Sequence, residues 1–174
     1  MARVPSFEMT IEEQRAELAP LRVDMSVAVT RAKNPFNVGT IIRVAHSFLV
    51  REIFLIGTDA YYERATMGMH RYETIVECPD EGAFLEAVGD RPICSVERDH
   101  ADTTLWQVDY PRDVVLLFGN EHDGISPQLL AASSQVIAIP MYGVNHSYPV
   151  AVAAGMVLCD WARRRDPRGA PPGA

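Results

Sequence analysis

The sequence predicts an α/β fold in which a mainly parallel sheet is flanked by helices. Three observations predict it. Short runs rich in β-branched and apolar residues alternate with segments of helical spacing. Several of those runs are apolar nearly throughout, as in strands covered on both faces, and turn residues mark the junctions. A chain of 174 residues suits one domain.

In order, residues 1–20 read as an N-terminal helical arm and MSVAVT (25–30) as the first strand. A helix follows over Val38–Leu49, with Asn37 as a candidate N-cap. EIFLIG (52–57) and TIVE (74–77) read as strands, and Pro79 precedes a helix over Asp80–Val88. ICSVE (93–97) and DVVLLFG (113–119) are the next strands. Ser126-Pro127 then gives an N-cap and a first-turn proline to a helix ending at Ala132. QVIAIP (135–140) is the last strand, and Pro149 opens a helix over Val150–Arg165. Its residues Val150, Ala153, Ala154, Val157, Leu158 and Trp161 follow the three-to-four spacing of a buried face. Residues 166–174, DPRGAPPGA, are too rich in Pro and Gly to pack and read as a flexible tail. There is no internal repeat.

The composition, 48% hydrophobic and 22% charged, excludes disordered, collagen-like and disulfide-scaffold classes. Cys78, Cys94 and Cys159 are widely spaced among apolar neighbours and read as buried free thiols of a reducing compartment. No secretory signal and no run near the roughly 18 apolar residues of a membrane span is visible, so the expected location is cytoplasmic, with no membrane partner. His46, His70, His100, His122 and His146 are scattered, and no metal is expected. The net charge of −7 restricts any nucleic-acid contact to local basic groups. Two clusters qualify: Arg22, Arg31, Lys33 and Arg43, and near the end Arg163, Arg164, Arg165 and Arg168. The second equally suits a cationic last helical turn that complements the helix dipole.

In a parallel sheet, ligands bind outside the carboxyl ends of the strands. Three strand-exit loops there are unusually polar. The first carries Asn34 and Asn37 ahead of a helix in which Arg43 stands among apolar residues; capping and outward snorkelling are the plain alternatives for Asn37 and Arg43. The second places Asn120 and Glu121 between Gly119 and Gly124, without the lysine of a phosphate-binding loop or the three-glycine dinucleotide spacing. The third brings Asn145, His146 and Ser147 beside the N-terminus of the last helix. No nucleophile elbow or Cys-His pairing is present.

NPFNVGTIIRVAHSF, LLFGNEHDGISPQLL and IPMYGVNHSYPVAVAAGM, in this order, resemble the three motifs of the SPOUT superfamily of RNA methyltransferases, in its SpoU/TrmH-like branch. The resemblance covers Met25 to Arg165, so residues 21–165 form a single SPOUT-like methyltransferase domain. It implies a C-terminal trefoil knot that binds S-adenosylmethionine, a homodimer that completes the site, and ribose 2′-O-methylation of tRNA or rRNA. Asn37, Arg43, Glu121 and Ser147 match the family's catalytic positions. Asn34, Arg31 and Lys33 would meet the substrate; Phe118, Gly119, Asn120, Ile139, Met141, Ser147 and Val150 would hold the cofactor. A guanidinium stays protonated, so Arg43 is assigned to a substrate phosphate and the developing alkoxide, leaving the proton to Glu121, His146 or an RNA phosphate. The chain departs from the family where relatives carry Ser-Leu-Asn: here Ser147-Tyr148-Pro149 removes the asparagine, whose task Asn145 could take over. Ser47-Phe48-Leu49 likewise replaces Ala-Phe-Gly. The alternative function is a catalytically silent, knotted RNA-binding or assembly factor.

Overall fold

The computed structural model describes residues 8–31 and 34–165, apart from the side chain of Arg165. Lys33 and the predicted 166–174 tail lie outside the described residues.

Seven strands, β1 (Met25–Thr30), β2 (Ile53–Ile56), β3 (Ile75–Cys78), β4 (Ile93–Val96), β5 (Thr103–Thr104), β6 (Val114–Phe118) and β7 (Gln135–Ala138), form one sheet. Its order is β3-β2-β1-β6-β4-β7-β5, and every pairing is parallel. The helices are α1 (Ile11–Leu18), α2 (Pro35–Phe48), α3 (Glu81–Val88), α4 (Pro127–Ala131) and α5 (Val150–Arg165).

Alternation along the strands divides the core in two. Val27, Val29, Leu116 and Phe118 face Ile41, Ile42 and Ala45 of α2 and Ala154, Val157, Leu158 and Trp161 of α5. Ala28, Phe54, Val115 and Leu117 face Phe84, Val88 and Leu129 of α3 and α4. All five residues of β6 are buried, which explains their uniformly apolar character.

Two elements depart from expectation by more than two residues. α2 begins three residues before Val38, because Asn34 is its N-cap: the Asn34 side chain accepts from the amide of Phe36 at 3.1 Å, and Pro35 takes the first position. Asn37 is therefore inside the helix, and its amide side chain is not the cap. The strand β5 was absent from the sequence reading because two residues carry no periodicity. It is fixed by tertiary bonds, from Leu105 N to the Ala138 carbonyl at 2.8 Å and from Val136 N to Asp102 Oδ2 at 2.9 Å.

The segment that leads into β1 is pinned by one buried carboxylate. Arg22 donates to Glu73 Oε2 at 2.7 Å and to the carbonyls of Val50 and Tyr72, while His46 Nδ1 lies 2.7 Å from Glu73 Oε1. Burial opposes ionisation of Glu73, but the hydrogen bonds of His46 and Arg22 outweigh it and hold the carboxyl below its ordinary range. At the other end, Arg164 reaches Asp160 and the carbonyls of Leu105, Trp106 and Val108, and buried Tyr110 donates to Asp160 at 3.2 Å. These contacts hold the 105–110 segment against α5. Arg22, Arg163 and Arg164, expected as possible RNA contacts, thus have internal partners. Among the thiols, Cys78 and Cys94 are buried as expected, but Cys159 is exposed, because it lies on the outer face of α5.

Candidate active site at the carboxyl edge of the sheet

β1 and β6 are neighbours, yet the chain leaving β1 turns toward β2 and the chain leaving β6 toward β7. Their exit loops diverge and leave a crevice at the carboxyl edge, the place where open α/β sheets bind ligands. On the β4 side of the β6 exit, along the same carboxyl edge, lies a cavity of about 770 Å³. Its wall comes from the exits of β4 (Glu97 to His100), β6 (Gly119 to Ile125) and β7 (Ile139, Met141, and His146 to Val150), with Asn37 from α2.

The β6 exit is a tight loop. Asn120 and Gly124 bond reciprocally through their backbones at 3.2 and 3.1 Å. The Asn120 side chain accepts from the amides of His122 and Asp123 at 2.9 and 2.8 Å, closing the turn from inside. A Cβ on Gly119 would lie 2.3 Å from the Gly124 carbonyl carbon, so the returning strand passes where only glycine fits. Gly124 has φ +65°, and a Cβ there would meet Glu97 Oε2 at 2.8 Å. The loop thereby presents Glu121, whose Oε1 accepts a hydrogen bond from Asn37 Nδ2.

The β7 exit carries the third set. Tyr148 donates to the Pro140 carbonyl at 3.3 Å, and Arg98 donates to the His146 carbonyl at 2.6 Å, fixing both ends of the loop. The Pro149 carbonyl accepts from Val152 and Ala153 at 2.9 and 3.0 Å, so the proline stands immediately before α5 and starts it. Asn145 bonds to the Ser147 carbonyl at 3.4 Å and does not line the cavity, whereas Pro149 does. The amide proposed as the substitute for the missing asparagine is engaged within its own loop.

Phe118, Gly119, Asn120, Ile139, Met141, Ser147 and Val150 all line this cavity, together with Asn37 and Glu121. Asn34 and Arg31 line a second, adjoining cavity of about 490 Å³ that shares Asn120 to Asp123. Arg43 joins neither: it is exposed on α2 and lines neither cavity. The sequence reading missed Glu97, Arg98, Asp99 and His100, which form a wall of the first cavity. The signal for them was available, since ICSVE is a strand whose exit falls on the same edge.

Residues 24–159 match the profile of the SpoU rRNA Methylase family. The chain belongs to that family. Among its relatives is the tRNA (guanosine(18)-2′-O)-methyltransferase of Aquifex aeolicus, 27% identical over 94% of this chain and 80% of the relative. The enzyme of the same name from Escherichia coli K12 is 29% identical over 87% of this chain and 69% of the relative. The A. aeolicus TrmH/SpoU tRNA modifying enzyme superposes with a TM-score of 0.79 at 26% identity, over 92% and 87% of the two chains. The SpoU methyltransferase AviRb of Streptomyces viridochromogenes, solved in complex with the cofactor AdoMet, superposes with a TM-score of 0.74 at 27% identity. The match covers 84% of this chain and 63% of AviRb, so this SpoU family member spans about three fifths of that protein.

The cavity fits such a cofactor on its own terms. Its floor is apolar, from Val96, Phe118, Ile139 and Ala153, and its rim carries carboxylates and amides that accept hydrogen bonds from an amine or hydroxyls. Among the described residues, no group of three or more His, Cys, Asp and Glu is placed to hold a metal, and no helix is long and apolar enough to cross a membrane.

Proposed function

We propose that this protein is an S-adenosylmethionine-dependent RNA methyltransferase that modifies a ribose 2′-hydroxyl of tRNA or rRNA. The observation that carries the reading is the hydrogen bond from Asn37 to Glu121 at the mouth of a cavity lined by all three motifs. The family and the names of its tRNA-modifying relatives support the reaction class.

S-adenosylmethionine, when bound, supplies an electrophilic methyl group on a sulfonium. The protein's tasks are to align a hydroxyl oxygen with that methyl and to remove the proton as the new C–O bond forms, the methyl C–S bond breaking and the sulfur leaving as a neutral thioether. Phe118, Gly119, Asn120, Ile139, Met141, Ser147 and Val150, which line the cavity, would hold the cofactor. Asn37 donates to Glu121 and fixes the direction of its carboxylate, leaving Glu121 lone pairs to accept the hydroxyl proton. Ser147 orients the reacting group from the opposite loop, and Asn34 contacts the RNA, while Arg31, held against Glu77, shapes the adjoining cavity.

Arg43 holds a substrate phosphate as a fixed positive charge. Since it lines neither cavity of its own chain, we infer a homodimer in which it serves the partner's site. Exposed apolar groups support this: Tyr142 (89%) and Val144 (97%) on the loop before α5, and Val152 (45%) on α5, lie uncovered in the single chain. The C-terminal segment is inferred to thread the trefoil knot of the family. A catalytically silent RNA-binding factor is the second reading, favoured by Pro149 in the cavity wall, which offers neither an amide N–H nor a side-chain donor.

The test uses the purified protein, labelled S-adenosylmethionine and bulk RNA from cells lacking the gene. Transfer by the native protein and not by Arg43→Ala, with equal cofactor affinity, is expected. Cofactor binding without transfer to any RNA pool establishes the silent factor, and absence of cofactor binding by calorimetry overturns both the enzyme and the cavity assignment.

A further inference from the structure

An exposed aromatic pair without a role in the chemistry above follows closely on two residues of the second cavity's wall: Phe36 comes two residues after Asn34 and Tyr62 three after Asp59, although neither ring lines the cavity itself. Phe36 and Tyr62 are stacked, with ring centroids 5.9 Å apart and planes inclined by 21°, yet they remain 55% and 44% exposed. The pair is rigidly mounted. Phe36 sits in the first turn of α2, where Asn34 caps its amide, and the amide of Tyr62 donates to the Pro35 carbonyl at 2.9 Å. Gly39 allows this approach, since a Cβ there would meet the Tyr62 carbonyl oxygen at 2.6 Å. Folding has therefore placed two flat apolar faces in water, one residue from both Asn37 and Pro35.

The adjoining cavity has a distinct chemistry. Its rim carries three carboxylates, Asp59, Glu121 and Asp123, with the amides of Asn34 and Asn120 and the imidazole of His122. Its one arginine, Arg31, is almost wholly buried: it lies against Glu77 and donates to the Asp59 carbonyl at 2.7 Å, while its Nε and second terminal nitrogen have no hydrogen-bond partner among the described residues. A rim of carboxylates repels phosphate and accepts from amino groups. Flat π-faces beside hydrogen-bond acceptors match a nucleobase bearing an exocyclic amine, and only an unpaired base exposes both its face and its Watson–Crick edge.

We propose that the Phe36–Tyr62 stack and the adjoining cavity form a subsite for an unpaired, amino-bearing base that flanks the methylated nucleotide. The subsite rests on the RNA methyltransferase reading and narrows its substrate to single-stranded or loop RNA. It also supplies affinity that a chain of net charge −7 cannot draw from phosphates.

Fluorescence anisotropy tests it, with a labelled stem-loop RNA of adenosine loop, the same stem with a uridine loop, and a fully paired duplex of equal length. The native protein should prefer the adenosine loop. Phe36→Ala and Tyr62→Ala should each weaken that complex by roughly 5- to 150-fold, the range for loss of one base-stacking contact. Phe36→Trp should retain binding, and all variants should keep native melting, cofactor affinity and oligomeric state.

Three results overturn the proposal: alanine variants that bind the adenosine loop as tightly as the native protein, a duplex bound as well as the loop, or variants whose oligomeric state changes, which would give the patch to a second copy of the chain. Methyl transfer to bulk RNA separates this failure from that of the enzyme reading. Transfer with a KM unmoved by Phe36→Ala removes the subsite and leaves the enzyme. Loop binding dependent on Phe36 without any transfer does the reverse.

Discussion

Gly119→Ala tests how the β6 exit loop positions Glu121. The added methyl carbon would lie 2.3 Å from the carbonyl carbon and 2.4 Å from the carbonyl oxygen of Gly124, and 2.8 Å from the amide nitrogen of Ile125. Non-bonded heavy atoms rest at about 3.5–4.0 Å, so the two backbone segments must separate by about 1 Å. Every atom in the way is main chain, and no rotamer change relieves the overlap. Separation weakens the reciprocal Asn120–Gly124 bonds of 3.2 and 3.1 Å, each contributing about 1 kcal/mol. Overpacking of about 1–3 kcal/mol adds to this, and a total of about 2–4 kcal/mol lowers the melting temperature by roughly 5–15 °C.

The functional effect should be larger in proportion. A displacement of about 1 Å at a catalytic group costs about 10²-fold in rate, and here it carries Glu121 away from Asn37. Calorimetric melting, cofactor titration and methyl transfer read the three consequences. A Gly119→Ala protein with native melting temperature and native cofactor affinity would refute the loop geometry on which the site depends.

Three further outcomes are expected. Asn34→Ala should lower stability by about 1 kcal/mol through loss of the α2 cap, whereas Asn37→Ala should leave melting nearly unchanged and impair transfer, and the reverse pattern would restore Asn37 as the cap. The Glu73 carboxyl is held below its unfolded-state pKa, so its stabilisation is complete above about pH 4.3 and is lost as pH falls through the lower folded value. Glu73→Gln should therefore flatten the acid limb of a stability–pH curve, and an unchanged limb would remove the Arg22–Glu73–His46 cluster from that role. Burial pushes the Cys94 thiol up to about 11 and raises that of Cys78, so mass spectrometry after alkylation at neutral pH should find both unmodified until the protein is denatured.

Six of the seven strands were legible to within two residues because each is a short, mainly apolar run rich in β-branched residues. The last helix was legible in full, since Pro149 marks its start and its apolar spacing continues to Trp161. What escaped depends on distant partners. Both Asn34 and Asn37 precede apolar residues and either could cap a helix; Pro35 at the first position decides for Asn34. The Asn37–Glu121 bond joins residues 84 apart, and it forms because β6 lies beside β1, an adjacency that chain order does not announce. The motif resemblance grouped the two residues but did not give their contact. The exposure of Cys159 escaped for a local reason, because its apolar neighbours Leu158 and Val157 are buried while helical rotation turns it outward.

The placement of arginines bears on how an acidic protein meets RNA. Arg22 is tied to Glu73, Arg31 to Glu77, Arg91 to Glu52 and Asp113, Arg98 to Asp99, and Arg164 to Asp160. A guanidinium already matched by a carboxylate displaces few counterions when RNA arrives. Arg43 is exposed, joins no ion pair among the described residues, and is the arginine that the three motifs carry. Each phosphate neutralised on a single strand contributes about −0.7 to the slope of log K against log salt. Loop RNA should therefore bind with a slope no steeper than about −2, made shallower by about 0.7 in Arg43→Ala, whereas Phe36→Ala should lower affinity at every salt concentration without changing the slope. A slope of about −5 or steeper in the native protein would mean that the paired arginines open to meet phosphates, and the division between an electrostatic contact at Arg43 and stacking at Phe36 would fail.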